Sequence, residues 1–122
     1  MSKIVKVANA MIMSDKKITD VQGNENGEYF FMYDGKYKWS INCVGNEYNL
    51  FYYPGDISIE KLMSFSPPEW DEYKDMIRYG TKEINAKEAR DTFRELYLML
   101  KEKAYGTDKA FDDIIENSEP PF

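Results

Sequence analysis

Residues 28–53 constrain this chain more than any other stretch, because two turn signals interrupt a run of β-prone side chains. The segment reads EYFFMYDGKYKWSINCVGNEYNLFYY, broken at Asp34-Gly35 and at Gly45-Asn46. Asp-Gly favours a two-residue type I′ turn and a leading glycine suits type II′, so three strands are expected in an antiparallel meander. Two-residue loops also set a register. The first places Phe30 opposite Trp39, Met32 opposite Tyr37 and Phe31 opposite Lys38. The second places Trp39 opposite Tyr52, Ile41 opposite Leu50 and Cys43 opposite Tyr48.

Side chains alternate across a sheet, so this register defines two faces. Phe30, Met32, Tyr37, Trp39, Ile41, Cys43, Tyr48, Leu50 and Tyr52 form the expected core face. The other face carries Tyr29, Phe31, Tyr33, Lys36, Lys38, Phe51 and Tyr53, with Ser40, Asn42 and Asn49 among them. Aromatic rings beside lysines suit a contact surface: a protein interface with lysines at its rim, or single-stranded nucleic acid or a nucleotide stacking on the rings. A second core under helices is the remaining option for that face.

Helical periodicity surrounds the meander. Ile4, Val7, Ala8, Met11 and Ile12 make one stripe over residues 3–13. Residues 14–27 are polar and glycine-bearing and read as a loop. Residues 58–63 make a short helix capped by Ser58. Ser66-Pro67-Pro68-Glu69 is a capping box with proline at the first helical position, opening a helix that carries Trp70, Tyr73, Met76 and Ile77 to Gly80. Asn85 and Glu88 are expected to open the longest helix, 86–105, whose stripe is Ala89, Phe93, Leu96, Tyr97, Leu100 and Ala104. After Gly106, Thr107 caps a last helix that buries Ala110, Phe111, Ile114 and Ile115. The expected fold is α+β: an N-terminal helix, a three-stranded antiparallel meander, then three or four helices packed on the sheet. One domain spans 1–117, followed by a short tail, 118–122.

At 122 residues the chain can bury one core. It contains no histidine and one cysteine, which removes His-based triads, the commonest general base and cysteine-based zinc sites. No phosphate-binding glycine motif is present. Cys43 falls on the core face, where a thiol acts as a small hydrophobe. No metal and no cofactor are expected. The start MSKIVKVANAMIM lacks a signal-peptide pattern and no apolar run is of membrane length, so the expectation is cytoplasmic with no membrane association.

The net charge of −6 is unevenly placed. The first 55 residues balance six lysines against six acids, so the excess acid lies in the helical half. It gathers at Glu69, Asp71, Glu72 and Asp75, and again at Asp112, Asp113 and Glu116. These helices are candidates to occupy a basic groove on a partner. The final Glu119-Pro120-Pro121-Phe122, after those acids, resembles the acidic tip ending in Pro-Phe of bacterial single-stranded-DNA-binding proteins. That resemblance implies a terminal ring, Phe122 behind Pro121, docking in an apolar pocket of a partner.

The expectation is therefore a small non-catalytic protein-interaction module rather than an enzyme, homodimeric or larger. In character, not by family, it resembles the acidic inhibitors that phages and mobile elements use to block larger host proteins. A single-stranded nucleic-acid or nucleotide binder using the aromatic and lysine face is the alternative.

Overall fold

The computed structural model describes residues 2–118, apart from the side chain of Asp108. Its centre is a five-stranded antiparallel sheet in simple meander order: β1 (Ile18–Gly23), β2 (Tyr29–Tyr33), β3 (Tyr37–Val44), β4 (Glu47–Tyr53) and β5 (Ile77–Gly80). Six helices accompany it: α1 (Lys3–Met13), α2 (Ile59–Met63), α3 (Pro67–Glu72), α4 (Thr81–Ile84), α5 (Lys87–Tyr105) and α6 (Thr107–Glu116). The α+β class, the N-terminal helix and the antiparallel meander are as the sequence implies. The sheet has five strands rather than three.

Both additional strands lie at the edges. Residues 18–23, expected as loop, pair with β2, and the ladder skips between Thr19 and Gln22 where Asp20 takes a φ of 55°. Only Ile18 of this strand is buried, which is why its composition reads as polar linker. At the other edge the helix begun at Ser66 stops at Glu72. Its capping box is present, but Tyr73 turns extended and Ile77–Gly80 pair with Asn49–Tyr52. Pairing with the free edge of β4 overrides the helical spacing of Trp70, Tyr73, Met76 and Ile77.

The second hairpin has the expected register, with Trp39 opposite Tyr52, Ile41 opposite Leu50 and Cys43 opposite Tyr48. The first does not. Asp34 and Gly35 adopt the positive φ values of a type I′ turn, 56° and 65°, and the Lys36 amide donates to the Tyr33 carbonyl at 3.2 Å. Tyr33 nevertheless pairs with Tyr37, leaving Lys36 out of the ladder as a one-residue bulge. Phe31 therefore faces Trp39, Phe30 faces Ser40 and Met32 faces Lys38. A one-residue slip exchanges the two faces of β2.

Helices cover both faces of the sheet. On one, α1 and α5 bury Ala8, Met11, Phe93, Leu96 and Leu100 against Tyr29, Phe31, Trp39, Ile41 and Leu50. On the other, α2, α3 and the residues just after each pack Ile59, Leu62, Phe65, Trp70 and Tyr73 onto Phe30, Phe51 and Tyr53. The short α4 ties the sheet to α5. Its buried Thr81 hydroxyl donates to Glu47 at 2.6 Å and accepts from the Tyr48 amide at 2.9 Å, while Arg90 reaches Glu47 at 3.1 Å. Asn85 ends α4 in a left-handed conformation instead of capping α5, whose N-cap position is taken by Ala86. No helix among the described residues is long and apolar enough to cross a membrane.

Candidate functional site

The last helix carries the largest departure from ordinary burial. Gly106 stops α5 in a left-handed conformation, φ 64°, and the chain restarts at once as α6. Phe111, Ile114 and Ile115 recur at the spacing of one helical face, which the sequence marks as a core stripe. They are instead 58%, 64% and 70% exposed. Ala110 is exposed as well, and of the described side chains in α6 only Thr107 is half-buried. A helix that presents an apolar face to water has no folding reason to keep it. Tyr105 and Leu98, seven residues apart on α5, are exposed as well.

The same helix is acidic. Asp112, Asp113 and Glu116 are exposed around the apolar stripe, and Lys109 is the one basic residue between Thr107 and Glu116. The pattern is an amphipathic helix whose apolar ridge has a negative border.

The other acidic group does not join it. Glu69, Asp71, Glu72 and Asp75 are exposed, but α3 packs on one sheet face while α6 continues from the helix on the other. Glu69 is also engaged locally. It accepts from the Ser66 amide and hydroxyl at 3.0 Å, and those bonds hold its carboxyl below the usual range. Pro121 and Phe122, the expected C-terminal tip, lie outside the described residues.

The seven residues expected on a contact face of the sheet form no common surface. The slip in β2 carries Tyr29, Phe31 and Tyr33 to the side covered by α1 and α5, where Tyr29 and Phe31 are buried. Lys38, Phe51 and Tyr53 lie on the opposite side beneath α2 and α3. Lys38 is only 8% exposed and donates to the Gly55 carbonyl at 2.8 Å; burial lowers its pKa, opposed by nearby Asp56. Lys36 stands alone in the exposed turn. This corrects the expected surface: its aromatic residues and Lys38 are divided between the two sides of the sheet, and Lys36 lies in a turn.

That correction uncovers a polar group the sequence reading passed over. Glu28 precedes β2 and shares the parity of Phe30, so it points to the α2–α3 side. The loop before it is tightly held. The Asn24 side chain accepts from the Asn26 and Glu28 amides at 2.9 and 3.0 Å, and the Tyr97 hydroxyl donates to the Gly27 carbonyl at 2.8 Å. Ser40 donates to Glu28 at 2.7 Å, which commits its single proton, so the Tyr53 hydroxyl 2.7 Å away must be the donor to Ser40. Burial pushes the Glu28 carboxyl above its usual value, partly offset by bonds from Ser40 and Asn24. Burial likewise pushes the Tyr53 phenol up, keeping it a neutral donor. With the correct β2 register, Glu28, Ser40 and Tyr53 could have been placed on one face from the sequence.

Cys43 is half-buried with its thiol turned to the Gly45 carbonyl at 3.4 Å. Among the described residues no group of three or more His, Cys, Asp or Glu side chains is gathered to hold a metal ion. Comparison of the chain with protein-family models, with curated proteins and with solved structures returns no match.

Proposed function

We propose that this protein is a protein-interaction module whose contact element is α6. The observation that supports the reading is the exposure of Phe111, Ile114 and Ile115 on a helix that also exposes Asp112, Asp113 and Glu116. An amphipathic helix of this kind binds by laying its apolar ridge into a groove on another protein. Charge selects the groove. Asp112, Asp113 and Glu116 complement a basic rim, whereas a second copy of α6 would set acid against acid. The partner is therefore a larger protein with an apolar groove bordered by Lys or Arg, and occupying that groove is how a small acidic chain would block it.

The test compares the native chain with Ile114→Asp/Ile115→Asp, each used to capture proteins from the source cells and then titrated against the purified captured protein. The reading expects a partner held by the native chain, lost with the double variant and weakened by added salt. A set of bound proteins unchanged by the double substitution would sink it. Concentration-dependent self-association abolished by the same substitutions would reassign the groove to a second copy.

A further inference from the structure

A cleft of about 360 Å³ opens beside the Glu28 network, between the loop at 24–28, the sheet and α3. Glu28, Asn42, Tyr53 and Asp71 are among its lining, together with the aromatic Phe51 and Trp70. Two properties define what such a cleft accepts. Among the described residues its lining contains two carboxylates and no Lys or Arg, and Glu28 makes no ion pair. A desolvated carboxylate without a cationic partner is an unfavourable arrangement that a bound cation relieves. Ser40 and Asn24 hold the carboxylate in place without neutralising it. Trp70 and Phe51, half-buried in the lining, contribute in the same sense, because aromatic ring faces attract ammonium and guanidinium groups. A phosphate-bearing ligand would meet only negative charge here.

We propose that the cleft bounded by Glu28, Tyr53, Phe51 and Trp70 binds an organic cation, an ammonium or guanidinium group, with Glu28 as its counter-ion. This site is separate from α6 and does not depend on the α6 reading. The cation can be a free amine or a side chain carried on a peptide, and both present the same headgroup.

The test follows the two indole N–H signals by ¹H–¹⁵N NMR. Trp70 lines the cleft, whereas Trp39 is buried on the opposite sheet face and serves as an internal control. Methylguanidinium and tetramethylammonium chloride should shift Trp70 and leave Trp39 in place, while uncharged N-methylurea and tert-butanol should not shift Trp70. Agmatine against N-acetyl-arginine amide distinguishes the free amine from the peptide-borne side chain; tighter binding of either supports a cation site and names its source. Glu28→Gln, which keeps the size of the side chain, should weaken methylguanidinium binding about tenfold or more. Phe51→Leu, which leaves the Trp70 signal in place, should weaken it as well. Equal shifts from the neutral compounds, undiminished binding to Glu28→Gln, or no shift with any probe would overturn the proposal.

Discussion

The Tyr97 hydroxyl donates a 2.8 Å hydrogen bond to the carbonyl of Gly27, seventy residues away in sequence. It anchors the loop that delivers Glu28 to the long helix on the far side of the sheet. Gly27 has a φ of 76°, and a Cβ there would lie 3.2 Å from the Tyr97 oxygen, so the glycine serves both the turn and the close approach. Tyr97→Phe removes one hydrogen bond and leaves the half-buried ring in place. The expected loss is about 0.5–1.5 kcal/mol in urea unfolding, with faster amide exchange confined to residues 24–28. A uniform rise in exchange across the sheet would mean that the bond supports the whole fold rather than this loop.

Glu28 makes the wild-type stability respond to pH in an identifiable direction. Burial raises its carboxyl in the folded state above the ordinary value, with the Ser40 and Asn24 bonds acting against that rise. Above the raised value the group is ionised in both states, and its desolvation opposes folding in full. As pH falls through that value the folded state takes up the proton first, so stability returns and is complete below the unfolded value, near pH 4.3. Glu28→Gln abolishes this response. Relative to the variant, the wild type should therefore gain stability on going from neutral pH to about pH 4. Urea titrations of both proteins at the two pH values check it; a difference independent of pH would contradict the burial of an ionisable carboxyl here.

Phe31 and Phe111 both occupy apolar stripes, and the structure separates them completely. Phe31 is fully buried between the sheet and the α1–α5 layer, whereas Phe111 is exposed. Phe31→Ala should cost about 3–5 kcal/mol, and Phe111→Ala less than about 0.5 kcal/mol. Chemical denaturation of the two variants checks the contrast. A large loss at Phe111 would show that α6 is packed against something in solution.

The same pair shows how far the sequence could be read. Turn chemistry was legible: Gly45 takes the positive φ its hairpin requires, and the register of β3 on β4 follows directly. At Asp34-Gly35 the turn was also legible, but the bulge at Lys36 was not, because the bulge is decided by how β2 pairs with β1 as well as β3. The Asp34 amide donates to the carbonyl of Lys17, the residue just before β1, at 2.9 Å, and the polar residues of β1 concealed that strand. One unseen residue of slip misplaced Tyr29, Phe31 and Tyr33 and hid Glu28. Periodicity also identified the apolar face of α6 correctly, since it reports which residues share a face. It carries no information on whether anything lies against that face.

The exposure of α6 leads to a prediction about its dynamics. Isolated helices shorter than about 12–15 residues are marginal in water, and most helical stability comes from tertiary packing of the apolar face. α6 has ten residues and an exposed apolar face, whereas α5 rests Phe93, Leu96 and Leu100 in the core. Amides of Ile114 and Ile115 should then exchange within about tenfold of their unprotected rates, and those of Phe93 to Leu100 only through opening of the core. Protection of α6 should rise when a basic-grooved partner is added, because binding would supply the packing the helix lacks. Strong protection in the purified protein alone would point to a second copy covering it. Sedimentation would then show a species heavier than the 14.4 kDa chain, and substituting Ile114 and Ile115 by aspartate should return both the mass and the exchange rates to those of a monomer.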